Sequence, residues 1–280
     1  MAWHAKLDLN YSNTGSVNAP RTGLHFLHQG PLRVLQSLYP EGDAICHNVI
    51  VHPPSGIVGG DVLDISVRLA AGTHALVTTP GASRFYKSID APGTQQVQAQ
   101  VAAGARLEWL PLEAIAYNGC NAVNRAVFDL EPGAEMIGWD ITALGLPNAG
   151  EPFERGVFNQ HMEIPGLWLE HARIDAADKR LLDSPLGMAG LRCMGTLFFA
   201  SGIAVARERR EALLEAVRLV LGQSGLVATA GATAPNQHMV VVRTLSPVVE
   251  PAMATLRACW ASLRSVAWGM ADKPPRIWSM

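Results

Sequence analysis

The sequence predicts a mainly β protein, one large β-rich domain over residues 1–280, with two α-helices near its C-terminal end. Three observations carry that reading. Period-two alternation and short apolar runs dominate the larger N-terminal part of the chain. Gly, Pro, Asn and Asp punctuate those runs at short intervals. Two amphipathic stretches of helical period appear only after residue 206.

The strand candidates are AKLDLNY (5–11), AICHNVIV (44–51), VLDISVRL (62–69), HALVTT (74–79), QVQAQVAA (96–103), NAVNRAVFDL (121–130) and GVFNQHMEI (156–164). A faint internal echo links AAGTHALVT (70–78), AAGARLEWL (102–110) and EPGAEMIGW (131–139). Each places a glycine turn between two strands, and the copies lie roughly thirty residues apart. That rhythm suits stacked coils of a β-solenoid, and it suits ordinary hairpins equally well. The helices are RERREALLEAVRLVLG (207–222), with Leu213, Val217, Val220 and Leu221 on one stripe, and EPAMATLRACWASLRSVAWG (250–269). In the second, Met253, Leu256, Trp260, Leu263 and Ala267 form the expected buried face, with Arg257 and Arg264 placed elsewhere. No Pro- or Ser-rich linker divides the chain.

Composition bounds the function. Hydrophobic residues make up 49% and charged residues 16%, a globular balance able to build a full core. A net charge of −2 supplies no general attraction for nucleic acid or an acidic membrane. MAWHAKLDLNYSNT lacks the apolar core of a signal peptide, and LFFASGIAVA (197–206) is too short to span a bilayer. Cys46, Cys120, Cys193 and Cys259 are far apart and form no CxxC pair, against a zinc ribbon or a disulfide framework. The expectation is a reduced, cytoplasmic protein with core cysteines.

Enzyme signatures are missing. There is no GxxxxGK[ST], GxSxG, HExxH or strand-linked GxGxxG. His25 and His28 face opposite ways in an extended segment, as do Cys46 and His47, so a tight preformed metal site has little support.

The most distinctive stretch is HPPSGIVGGD (52–61). Two prolines force extended backbone, and Gly59-Gly60 permit a sharp turn that presents Asp61 at a fixed place. The plain alternative is a turn capped by the Asp61 side chain. Carboxylates recur in such settings: Glu108 in LEWLP, Glu113 after Pro111, Asp140 in GWD and Glu151 in AGEPF. Each can be an ordinary surface or turn carboxylate. Together, if they converged, they would line an internal passage holding a divalent ion weakly and in succession.

HPPSGIVGGD, LVTTPGASRFYKS, LEWLPLEAIAY, GEPFERG and the terminal KPPRIW stand in the order and spacing of the UreD (UreH) family of urease accessory proteins, which this chain resembles over essentially its whole length. The resemblance implies a largely β fold with two helices and a non-enzymatic scaffold for nickel insertion into apo-urease. It also implies UreF as direct partner, the GTPase UreG through UreF, and the urease subunits. Nickel would be cargo in transit, and no nucleotide would be bound. Nickel accepts imidazole and oxygen ligands, so Asp61, Asp140, Glu108, Glu113 and Glu151 become candidate path residues, Asp61 and Asp140 foremost. His52 is a candidate mouth or structural residue; Arg84 and Tyr86 are candidates for fixing the first turn or touching a partner. Two departures stand out: Ser55 replaces a glycine usual in the HPPGG run, and Leu146 replaces an arginine usual after LG. The rival readings are a purely structural adaptor that clamps UreF to urease, and a metal-dependent hydrolase with ligands from distant strands.

Overall fold

The computed structural model describes residues 2–16 and 18–279. An antiparallel hairpin, β1 (His4–Asn13) and β2 (Thr22–Gln29), precedes a short β3 (Arg33–Val34). Successive coils follow, each with a strand for one large sheet, a corner strand, and a strand for the other large sheet. The first is β4 (Ile45–Val51), β5 (Gly56–Ile57) and β6 (Val62–Leu69); the second is β7 (His74–Thr78), β8 (Ser83–Phe85) and β9 (Gly93–Val101). The third is β10 (Arg106–Leu110), β11 (Ala114–Ala116) and β12 (Cys120–Leu130); the fourth is β13 (Glu135–Leu146), β14 (Glu151–Pro152) and β15 (Gly156–Ile164). The rest comprises β16 (Trp168–Asp175), α1 (Lys179–Asp183), β17 (Cys193–Ser201), α2 (Arg207–Gly222), β18 (Ala230–Thr233), β19 (Met239–Ser246) and α3 (Val249–Trp268).

The coils stack in parallel. Ile45, His74, Arg106 and Glu135 lie side by side across β4, β7, β10 and β13. Leu63, Gln95, Asn124 and Gln160 do the same across β6, β9, β12 and β15. The echoed glycines are the coil corners: Gly72, Gly104 and Gly133 have φ of 71°, 71° and 88°, a region that glycine enters without strain. The repeat therefore builds stacked coils, and the hairpin alternative does not hold there.

Two sheets result, one of seven strands and one of twelve. One apolar core lies between them, built from residues such as Leu7, Val97, Phe128, Phe158 and Phe198. A second lies between the outer face of the 12-stranded sheet and α2 and α3, and includes Ile137, Trp139, Phe199, Leu213, Leu256 and Trp260. The helices match the expected positions, with Leu213, Val217 and Leu221 buried on α2 and Met253, Leu256, Trp260 and Leu263 on α3. α1 is a short addition that the periodicity did not predict. Arg264 departs from the expectation: its position in the sequence sets it off the apolar face of α3, yet it is fully buried. Carboxylates reach it from below, as described next.

Candidate functional site

Alternation decides which carboxylates meet. Along β13, Trp139 faces the helices and Asp140 faces the inter-sheet core. Asp140 accepts hydrogen bonds from Asn124 Nδ2 at 3.0 Å, Thr142 Oγ1 at 2.9 Å and Gln160 Nε2 at 2.6 Å. Asn124 and Gln160 stand next to Gln95 in one row of the seven-stranded sheet. Gln95 Nε2 donates to Asn124 Oδ1 at 3.3 Å, and Ser83 Oγ donates to Gln95 Oε1 at 3.1 Å. These groups line a cavity of about 30 Å³, room for one or two waters or a largely dehydrated ion. Asp140 keeps some surface toward this space, yet the core around it raises its carboxyl to about 6. The hydrogen bond from Thr142 opposes that rise, the charge of Glu170 adds to it, and the bonds from Asn124 and Gln160 oppose it again. Among the described residues, the buried Gln160 Oε1 has no hydrogen-bond partner.

The polar file continues both ways. Ser83, Gln95, Trp109 and Pro111 also line a wider cleft of about 310 Å³ that includes His52, Ser55 and Arg84. The buried Nε2 of His52 is unpartnered among the described residues. Burial holds this imidazole below its ordinary pKa, with the Asp61 charge opposing, so it stays a neutral nitrogen donor. On the far side Thr196 stands opposite Asp140 on β17, and its hydroxyl donates to Glu170 at 3.0 Å. Glu170 and Thr196 line a third cleft, of about 420 Å³, with Met188 and Met194.

The other candidates lie elsewhere. Asp61 is buried and serves the turn: Oδ1 accepts from the Trp3 amide at 2.8 Å and Oδ2 from the Val58 amide at 3.0 Å. Glu108 sits on the opposite face of the 12-stranded sheet, under α3. There Arg264 Nε lies 3.1 Å from Glu108, His74 Nε2 2.8 Å away, and Trp260 Nε1 donates at 2.6 Å. Arg264 also bonds both oxygens of Glu41, at 2.9 and 3.0 Å, and Glu41 meets His47 at 2.9 Å. Glu113 lines a separate cleft with Arg257 and Cys193. Glu151 is exposed on β14, at the edge of β13. Arg84 is exposed at the rim of the His52 cleft. The Tyr86 ring packs against Tyr117, centroids 4.6 Å apart, and over Gly56, where a Cβ would fall 2.0 Å from it. The structure thus brings Asp140 and His52 to one polar file, and leaves Asp61, Glu108, Glu113 and Glu151 outside its linings.

Sequence reading missed Ser83, Gln95, Asn124, Gln160 and Glu170. A signal existed: Gln95, Asn124 and Gln160 are polar residues at inward positions of strands otherwise apolar on that face. KPPRIW also has a structural account: Trp278 is buried between Trp139 and Trp260, with ring centroids 5.1 and 5.3 Å away. Among the described residues, no three His, Cys, Asp or Glu side chains are grouped to hold a metal, and no helix is long and apolar enough to cross a membrane. All four cysteines are free and buried.

Residues 4–279 match the family described as UreD urease accessory protein. The urease accessory protein UreD of Paracidovorax citrulli (strain AAC00-1) is 59% identical over 280 residues, covering 100% of both chains. Its counterpart in Variovorax paradoxus (strain S110) is 58% identical over 279 residues, again with 100% of both covered. That of Polaromonas sp. (strain JS666 / ATCC BAA-500) is 58% identical over 280 residues with the same coverage.

Proposed function

Because the chain belongs to the UreD family of urease accessory proteins, we propose that it works in urease maturation as a non-enzymatic nickel conduit. The ion would pass between the two sheets along the polar file centred on Asp140. The observation that carries this reading is the row Gln95–Asn124–Gln160 with Asp140 in an otherwise apolar core. Burying so many polar groups costs stability unless they serve each other or a ligand. Without partners among the described residues, the Gln160 oxygen and the His52 nitrogen supply neutral donors, and Asp140 supplies the charge at the narrow point. Nickel(II) accepts this mixture of oxygen and imidazole.

The arrangement explains transit in place of storage. One carboxylate flanked by amides binds weakly enough to release, as conduction requires. The narrow space around Asp140 strips water from the ion, and side-chain oxygens replace it. The wider clefts at His52 and at Glu170 then serve as entry and exit, in either direction. We assign UreF as direct partner, with UreG docked through it and apo-urease as recipient. Exposed apolar residues of the helical region, such as Leu219 and Val266, are candidate partner contacts.

The adaptor reading keeps the same partners and denies nickel the interior. The two separate on Asn124→Leu, which plugs the file without touching the surface. In a reconstituted system that still assembles UreF, UreG and urease, the conduit reading expects urease activation to fall at least about tenfold. Full activation in the assembled complex would leave the adaptor reading standing.

A further inference from the structure

We propose that the outer face of the seven-stranded sheet carries a surface site for a late first-row divalent metal ion, chelated by His161 and His171 and oriented by Glu163. Gln160 points inward from β15, and His161, the next residue, borders the same small cavity but turns its imidazole to the outer face, where it meets Glu163.

The antiparallel register of β15 and β16 sets His161 directly opposite His171, the closest side-chain relationship a sheet offers. Their ring centroids are 5.6 Å apart. A metal held at ~2.1 Å by one nitrogen of each imidazole, at octahedral or tetrahedral angles, places the two centroids roughly 4.6–5.3 Å apart, so the rings close onto a shared ion with a shift of less than about 1 Å. His161 Nε2 donates to Glu163 Oε2 at 2.8 Å, and this leaves Nδ1 as the free lone pair. A carboxylate that fixes the far nitrogen of an imidazole is the usual support of a metal-binding histidine. Arg125, beside His161 on β12, reaches to 3.7 Å from Glu163 and steadies it.

The chemistry of two imidazoles selects Ni²⁺, Cu²⁺ or Zn²⁺ over Mg²⁺ or Ca²⁺. Water completes the coordination, since no third protein ligand is gathered here among the described residues. Arg125 offsets the charge of Glu163, so the site carries no net negative charge and holds its ion loosely. It is a surface where a metal is picked up and given back.

The test is equilibrium binding of nickel chloride to the full-length protein at pH 7.5, with circular dichroism to check folding. The expected result is one saturable ion that His171→Ala and His161→Ala each weaken by about tenfold or more. Glu163→Ala weakens it by roughly tenfold through loss of orientation. Copper(II) at the same site shows coupling to two imidazole nitrogens by electron paramagnetic resonance, and the coupling disappears in the double histidine variant. Nickel binding by the double variant with the affinity and stoichiometry of the wild type overturns the proposal, as does a wild-type protein with no saturable binding at this pH. The nickel-conduit reading is untouched by either result, because it fails or stands on Asp140 and Asn124.

Discussion

Glu108 and Asp140 lie on opposite faces of the same 12-stranded sheet: Glu108 bonds Trp260 of α3, and Asp140 bonds Gln160 of the opposing sheet. Glu108 is buried and Asp140 half-buried, in strands that pair as neighbours, yet the side-chain period of two sends them to different cores. One is locked into a charged cluster that fastens a helix. The other faces a small cavity with groups to spare. Two similar sequence contexts therefore carry different chemistry.

The helix fastening predicts a large stability loss when its cation is removed. Arg264→Ala leaves Glu41 and Glu108 facing each other in the space under α3 without their shared guanidinium. Breaking a buried pair this way costs about 3–5 kcal/mol. Urea denaturation at pH 7 measures it. A loss below about 1 kcal/mol would mean the cluster does not fasten α3. The pH dependence has a definite sign. Burial would raise the Glu41 carboxyl, but hydrogen bonds from His47 and Arg264 outweigh burial and hold it below its ordinary value. Its stabilising contribution is therefore present above the unfolded value of 4.5 and is lost as pH falls through the lower folded value. In Arg264→Ala that acid dependence is weakened.

Asp140 behaves in the opposite sense. Its carboxyl is raised from 3.8 to about 6, so the folded protein holds this proton more tightly than the unfolded chain. Stability is highest, as far as this group is concerned, below the unfolded value, and declines as pH rises through about 6. Relative to Asp140→Asn, which does not titrate, the wild type gains on the order of 3 kcal/mol between pH 7.5 and pH 3.5. Paired denaturation curves at the two pH values measure the difference. A constant difference between the proteins would show that Asp140 is not desolvated.

Ser55 offers a gain of stability. Its φ is 62°, the left-handed region, where a side chain is strained and glycine is not. Ser55→Gly relieves about 1 kcal/mol, less the extra freedom glycine brings to the unfolded chain. Thermal unfolding should show a small rise in Tm with unchanged secondary structure. A fall would mean the turn is held by the serine itself. The position is also one where this chain departs from the glycine usual in the family motif.

Asp61→Ala removes the acceptor for two backbone amides, those of Trp3 and Val58. Leaving such donors unmet costs about 1–3 kcal/mol. The loss should appear in denaturation, while urease activation by the assembled complex stays near wild type. A variant that is stable but inactive would place Asp61 on the nickel route after all.

The architecture was legible because alternation, glycine corners and helical period are local signals. Gly72, Gly104 and Gly133 marked the coils, and the stripes on α2 and α3 marked the helices. Arg264 was not legible, because its period puts it beside the apolar stripe and only Glu41 and Glu108, both far away in the chain, explain its burial. Among the site residues, Asp140 was readable as a carboxylate in an apolar strand. Gln95, Asn124 and Gln160 carry no charge and belong to separate coils, so their alignment appears only when the strands are stacked in register. Asp61 drew attention for a sound reason, the turn it terminates, and that turn accounts for its hydrogen bonds.

The central claim is that nickel passes Asp140. The most direct test is the nickel content of urease matured by assembled complexes containing Asp140→Ala or Asp61→Ala, each compared with wild type and checked for complete assembly. The account predicts that Asp140→Ala lowers nickel per urease active site severalfold or more, while Asp61→Ala does not. Full nickel loading by the assembled Asp140→Ala complex would contradict it.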